Sequence, residues 1–290
     1  MQTDNILDLA INTSVYAGRE IMRIYNDPSQ DFGIEMKADN SPLTLADKAS
    51  HDCIVERLKP SGYPILSEEG AQIPYEERKD WHRLWIVDPL DGTKEFINRN
   101  GEFTVNIALI EDGKPILGII FAPTLGTVWG GIVNFGARRV EGINLDHLDV
   151  PVTQRREPLT IYSLPQQSLL DHVGVKVVAS RSHMNPETEE YIGKLRELNR
   201  HVDLVSKGSS LKMCLVAEGS ADVYPRFAPT MEWDTAAGDA IARAEDPIDH
   251  DAVYVIANLK YGRLIADQLK GAGIPEKNIQ SRQNHSHPYV

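Results

Sequence analysis

The sequence predicts a mixed α/β protein, α+β over its first half and a layered α/β arrangement over its second. Three observations predict it. Small and apolar residues recur at helical spacing twice before residue 60, an antiparallel meander follows between residues 104 and 133, and beyond residue 159 short apolar strands alternate with helices. The charged, Pro-containing stretch Asp149 to Pro158 is the expected linker. Residues 1–150 are therefore read as an N-terminal α+β domain, 151–245 as a C-terminal α/β domain and 246–290 as a divergent extension.

From Leu7, the residues Ala10, Ser14, Ala17, Ile21 and Ile24 recur at steps of three and four, a helix that runs to about Tyr25. Asp31 to Lys37 reads as a strand and Asp39-Asn40-Ser41-Pro42 as a turn. Ala46, Ala49, Cys53, Ile54 and Leu58 define one face of a second helix, ended by Pro60-Ser61-Gly62, with Asp47 in its first two turns. Tyr63 to Leu66 and Leu84 to Val87 are short buried strands that run straight into acidic residues, and Pro89 is expected to stop the second. Thr104 to Ile110 and Ile116 to Phe121 form a hairpin, and Thr127 to Val133 a further strand. In the second half, strands at Leu159 to Tyr162 and Val175 to Ala179 alternate with helices at Pro186 to Leu198, Ser209 to Glu218 and Glu232 to Ala244. Ile256, Leu259, Leu264, Ala266, Leu269 and Ala272 trace one more amphipathic helix.

The composition excludes several classes. With 41% hydrophobic and 25% charged residues over 290 positions, the chain is neither disordered nor a disulfide scaffold. Its longest apolar run, Ile116 to Ala122, is far too short to span a bilayer, and Met1 to Leu9 lacks the pattern of a secretory signal. Cys53 and Cys214, both on helices, read as buried thiols, so a cytoplasmic protein is expected. A net charge of −12 repels duplex nucleic acid but allows a small phosphate ester where a cation supplies local positive charge.

The segment Asp88-Pro89-Leu90-Asp91-Gly92-Thr93 carries the chemistry. Two carboxylates at a tight corner can face one pocket, the Leu90 carbonyl adds an oxygen, and hard divalent cations prefer oxygen ligands. The N–H groups of Gly92, Thr93 and Lys94 open a short helix and offer an anion site beside them. The alternative is plain: Asp91 caps that helix and Asp88 forms a turn. Ser67-Glu68-Glu69 ends the preceding strand at the same sheet edge, where Glu68 is otherwise a solvated loop charge. Asp234 opens a helix whose Ala236, Ala237, Gly238 and Ala240 permit close packing, and is otherwise a partner of the helix dipole.

Taken together, Ser67-Glu68-Glu69, Asp88-Pro89-Leu90-Asp91-Gly92-Thr93 and Trp233-Asp234-Thr235-Ala236 resemble the signature segments of the inositol monophosphatase superfamily, over Met1 to about Ala244. Lys94-Glu95-Phe96, Gly208-Ser209-Ser210-Leu211-Lys212 and Ala221-Asp222-Val223-Tyr224-Pro225-Arg226 resemble its bacterial 3′(2′),5′-bisphosphate nucleotidase branch. The resemblance implies a layered αβαβα sandwich, dependence on two or three Mg²⁺ ions, sensitivity to lithium, and hydrolysis of 3′-phosphoadenosine 5′-phosphate, or its 5′-phosphosulfate, at the 3′-phosphate. It implies that Glu68, Asp88, the Leu90 carbonyl, Asp91 and Asp234 hold the metals, and that Asp47, Glu68 and Thr93 activate water. Asp91, Gly92, Thr93, Lys94, His183, Gly208, Lys212 and Asp234 are the implied substrate contacts, with His183 and Lys212 toward the second phosphate. The expected partner is a small nucleotide bisphosphate, not nucleic acid, and the expected state a monomer or homodimer. An inositol or other sugar phosphatase, or a non-catalytic nucleotide-binding protein, are the competing readings. Beyond Ala244 the pattern is lost, and His285 and His287 are read as a solvated tail.

Overall fold

The structure is a computed structural model that describes residues 3–29, 31–70, 72–148, 160–163, 174–179, 185–198, 201–227, 230–244 and 253–256. In chain order the elements are α1 (Thr3–Tyr25), β1 (Glu35–Met36), β2 (Pro42–Leu43), α2 (Leu45–Leu58), β3 (Ile65–Ser67), α3 (Tyr75–Arg78), β4 (Arg83–Asp91), α4 (Thr93–Ile97), β5 (Thr104–Glu111), β6 (Lys114–Ala122), β7 (Thr127–Ile132) and β8 (Gly136–Glu141). They continue with β9 (Thr160–Ser163), β10 (Val175–Ala179), α5 (Pro186–Leu198), β11 (Val202–Ser206), α6 (Leu211–Ala217), β12 (Val223–Arg226), α7 (Glu232–Ala242) and β13 (Val253–Ile256). Strands β3 to β9 form a seven-stranded sheet in sequence order, parallel only between β3 and β4. The second sheet is parallel, in the order β11-β10-β12-β13.

The alternation of apolar side chains along the strands builds five layers. Trp85, Val87, Val105, Ile107, Ile119 and Phe121 point to one face of the larger sheet and pack under α1 and α2. Their neighbours Leu84, Ile86, Ala108, Ile110 and Ile120 point the other way, against Leu211 and Cys214 of α6 and Ala236, Ala237 and Ile241 of α7. The far side of α6, with Met213 and Val216, meets Val178 and Tyr224 of the smaller sheet. Val175, Val177 and Val223 on that sheet's outer face are covered by Ile192 and Leu195 of α5. The order is helices, sheet, helices, sheet, helix, as the resemblance implies.

The run of small residues on α7 serves this middle layer. A Cβ on Gly118 of β6 would stand 2.1 Å from the Ala237 carbonyl oxygen, so helix and sheet meet backbone to backbone. The close approach seats the first turn of α7, and Asp234 with it, at the level of the β4 and β5 strand ends.

Three expectations are revised. The strand read over Asp31 to Lys37 is reduced to Glu35–Met36, because residues 31–34 pair with nothing regular and β2 is only two residues long. Strands β8, β11, β12 and β13 are additional: their charged or edge positions, such as Arg138-Arg139 and the half-exposed Val202–Ser206, mask the alternation. Ile256 falls in β13 rather than at the start of a helix, and the rest of that proposed helix, with His285 and His287, lies outside the described residues.

Candidate active site

The two aspartates of β4 share a pocket because the strand is irregular between them. In a regular strand, residues 88 and 91 would face opposite sides. Asp88 pairs with Asn106 and Asp91 with Thr104, so three steps on β4 oppose two on β5, and the extra residue brings both carboxylates to one face. Pro89 does not end the strand as expected. Lacking an N–H it cannot continue the ladder, the chain bulges, Ser50 Oγ donates to the freed Pro89 carbonyl at 2.6 Å, and pairing resumes at Asp91. The next residue, Gly92, takes a φ of 94° that other residues rarely adopt, and α4 starts there.

One cavity of about 250 Å³ gathers Glu68, Asp88, Leu90, Asp91, Gly92, Thr93, Lys94, Gly208, Lys212 and Asp234. These are the sequence-derived site residues except Asp47, which adjoins through Thr93, and His183, which lies outside the described residues. Several supports were not foreseen. Ser210 Oγ donates to Asp91 Oδ2 at 2.6 Å, Asn106 Nδ2 donates to Ser210 Oγ at 2.9 Å, and Thr230 Oγ1 donates to Asp234 Oδ2 at 2.8 Å. Lys37 Nζ, from the end of β1, donates to Glu68 Oε1 at 2.7 Å and also binds Glu69. None of these partners lies at a local spacing that a sequence pattern could reveal, apart from Thr230, four residues before Asp234.

Burial and mutual repulsion govern the acidic end. Asp88 is 1% exposed, and its carboxyl is held well above the usual carboxylate range by burial and then by the charges of Glu68, Asp91 and Asp234. Glu68 is pushed up to about 7, burial outweighing the Lys37 ammonium beside it, and Asp234 is raised by burial and by Asp91. Among the described residues, no three His, Cys, Asp or Glu side chains stand close enough as they are to grip an ion. The donor set still fits a hard cation. Buried carboxylates that raise one another's proton affinity are stabilised by positive charge between them, and every donor is oxygen.

Asp47 is fixed on all sides. Its Oδ2 accepts the Thr44 N–H at 2.7 Å and the Thr44 hydroxyl at 2.5 Å, closing the capping box of α2, while Oδ1 accepts the Thr93 hydroxyl at 3.0 Å. Burial raises its proton affinity.

Basic and hydroxyl-bearing side chains stand beside these carboxylates: Lys212, Arg226 and Ser209 line a recess with Asp91 and Asp234. Lys212, 6% exposed, donates from Nζ to the Ser209 carbonyl at 2.6 Å, and burial lowers its pKa. Arg226 and Ser209 line the same cavity. Ser209, with φ at 45°, carries a buried hydroxyl that has no hydrogen-bond partner among the described residues. Gly208 donates its N–H to Glu102 Oε2 at 2.8 Å.

The five layers, with this cavity at the strand ends of the larger sheet, are those of the layered α/β sugar phosphatases. The chain belongs to the inositol monophosphatase family, a family of metal-dependent phosphatases, whose profile matches residues 2–245. It is 44% identical over 250 residues to the 3′(2′),5′-bisphosphate nucleotidase CysQ of Escherichia coli K12, covering 86% of this chain and 89% of that protein. The crystal structure of CysQ from Bacteroides thetaiotaomicron, described as a bacterial member of the inositol monophosphatase family, superposes with a TM-score of 0.73 at 50% identity, covering 84% of this chain and 87% of that one. An inositol monophosphatase from Anabaena, 22% identical, shares the fold with a TM-score of 0.61, covering 84% of this chain and 82% of that one.

Proposed function

We infer that this protein is a Mg²⁺-dependent 3′(2′),5′-bisphosphate nucleotidase that releases the 3′-phosphate of 3′-phosphoadenosine 5′-phosphate to give AMP. The observation that carries the reading is a cavity lined by two sets of groups, four carboxylates and, beside them, the cations Lys212 and Arg226. A monophosphate needs only the first. The kinship with nucleotidases named CysQ points the same way. The two free cysteines, and the absence among the described residues of a helix long and apolar enough to cross a membrane, favour a cytoplasmic reaction.

Glu68, Asp88, the Leu90 carbonyl, Asp91 and Asp234 would hold two or three Mg²⁺ ions, which neutralise the scissile phosphate and polarise its oxygens. The remaining work falls to the chain. Thr93 Oγ1 gives its hydrogen to Asp47 Oδ1, which leaves its lone pairs to orient a water in line with the phosphorus. As the water oxygen bonds to phosphorus and the bond from phosphorus to the 3′-ester oxygen breaks, the water proton passes through Thr93 to Asp47 Oδ1, and the departing oxygen takes up a proton from solvent to become the 3′-hydroxyl of AMP. Burial raises the proton affinity of Asp47, which favours its receiving that proton. Gly92 and Thr93 line the same cavity, where their N–H groups would position the phosphate.

Comparing hydrolysis of 3′-phosphoadenosine 5′-phosphate with that of inositol 1-phosphate tests the reading: the nucleotide is expected to be the better substrate, and a preference for inositol 1-phosphate would replace it with the sugar-phosphatase one. Lys212→Ala is expected to cost 3′-phosphoadenosine 5′-phosphate about tenfold to a hundredfold more in kcat/KM than 3′-AMP, which has no second phosphate to lose. Equal losses on the two would confine Lys212 to supporting the Ser209 carbonyl.

A further inference from the structure

Glu95 has no place in the scheme above, yet it lines the same cavity, near enough to Lys212 for the two charges to interact. The chain makes room for it. A Cβ on Gly208 would stand 2.8 Å from Glu95 Cγ, and one on Gly92 would stand 3.4 Å from Glu95 Oε2 and 3.2 Å from Ser209 Cβ. Gly208 thus leaves space for the Glu95 side chain, as it does for Glu102, and a Cβ on Gly92 would touch the Glu95 carboxylate at ordinary contact distance, beside Ser209, whose buried hydroxyl has no hydrogen-bond partner among the described residues. Glu95 itself makes no side-chain hydrogen bond or ion pair among the described residues. A half-buried cavity-lining carboxylate that accepts no hydrogen bond among the described residues has lone pairs to offer the cavity's contents.

Its charge limits what it can meet. A carboxylate repels both phosphates of a bisphosphate, and those are drawn to the metal-ligating end and to Lys212 and Arg226. What remains between them is the uncharged body of the substrate. We propose that Glu95, seated between Gly92 and Gly208, is a specificity-determining residue that accepts a hydrogen bond from an O–H or N–H donor of the nucleoside. The proposal rests on the nucleotidase reading. On adenosine the donors are the 2′-hydroxyl and the 6-amino group.

The experiment measures kcat/KM for wild-type protein, Glu95→Ala and Glu95→Gln on 3′-phosphoadenosine 5′-phosphate, its 2′-deoxy analogue and its inosine analogue. Wild type is expected to favour the parent over one analogue by about tenfold to a hundredfold, and that analogue identifies the donor. Glu95→Ala should erase the preference by losing rate on the parent alone, while Glu95→Gln, which keeps an amide oxygen as acceptor, should retain part of it. A preference that survives in Glu95→Ala, an equal loss on all three substrates, or no preference in wild type would overturn the proposal. Wild-type protein that hydrolyses inositol 1-phosphate but none of the three nucleotides would bring down the nucleotidase reading and the proposal together. Failure of the proposal alone leaves wild-type turnover of the parent intact.

Discussion

Asp91→Asn is expected to lower turnover roughly a thousandfold or more at saturating Mg²⁺ while the protein still folds. The substitution keeps the size of the side chain and an oxygen to accept the Ser210 hydroxyl, now at 2.6 Å from Oδ2, so the link from β4 to the start of α6 survives. What it removes is one negative charge of the set proposed to hold the metals. The same charge raises the proton affinity of both Asp88 and Asp234, and its loss relieves that repulsion when no cation offsets it. In chelator, the variant should therefore melt at or above the wild-type temperature, and calorimetric titration should show weaker Mg²⁺ binding. Turnover near that of wild type at saturating Mg²⁺ would remove Asp91 from the metal-binding set.

Gly118→Ala should be the most damaging single-methyl change in the core, destabilising the protein by about 3 kcal/mol or more. The added Cβ would meet three backbone atoms of Ala237, the carbonyl oxygen at 2.1 Å, the carbonyl carbon at 2.9 Å and Cα at 3.0 Å. Backbone cannot rotate away, so α7 has to lift from the sheet. At this chain length such a loss lowers the melting temperature by roughly 10 °C. Gly130→Ala is the control. Its Cβ would crowd the tip of Ile119, Cδ1 at 2.9 Å, which a rotamer change can clear, and would stand at an ordinary 3.9 Å from the Gly118 carbonyl oxygen. Similar melting temperatures for the two variants by circular dichroism would show that the contact between α7 and β6 is not tight in solution.

Much of the site was legible because its carboxylates sit at ends of elements with local signatures. Asp47 lies in the first turns of a helix with an apolar face, Asp88 follows an apolar strand run, and Asp234 opens an alanine-rich helix. The bulge at Pro89 was not legible as a bulge. A proline that cannot donate to the ladder reads as a stop, and only the register against β5 shows pairing resuming beyond it. Lys37, Asn106 and Ser210 escaped for a different reason. Each acts on a carboxylate 15 to 119 residues away, a relation that exists only once the layers are stacked. The helices of the second half were read closely, α5 to the residue, whereas β11 was missed, since an edge strand with half its side chains in solvent need not alternate.

The hydroxyl of Ser210 also dictates a timetable. It donates to a carboxylate made 119 residues earlier and, at 3.2 Å, contacts the carbonyl of Asp234, made 24 residues later. During synthesis Glu68, Asp88 and Asp91 leave the ribosome long before the residues that complete their pocket, and the counter-charge already made is Lys37, 31 residues upstream of Glu68. The same delay leaves Leu84, Ile86, Ile110 and Ile120 without the helices that cover them. Activity is therefore the last property the nascent chain acquires. A product terminated before α7 carries most of the acidic residues, no finished site, and a bare apolar sheet face of the kind that chaperones and proteases recognise.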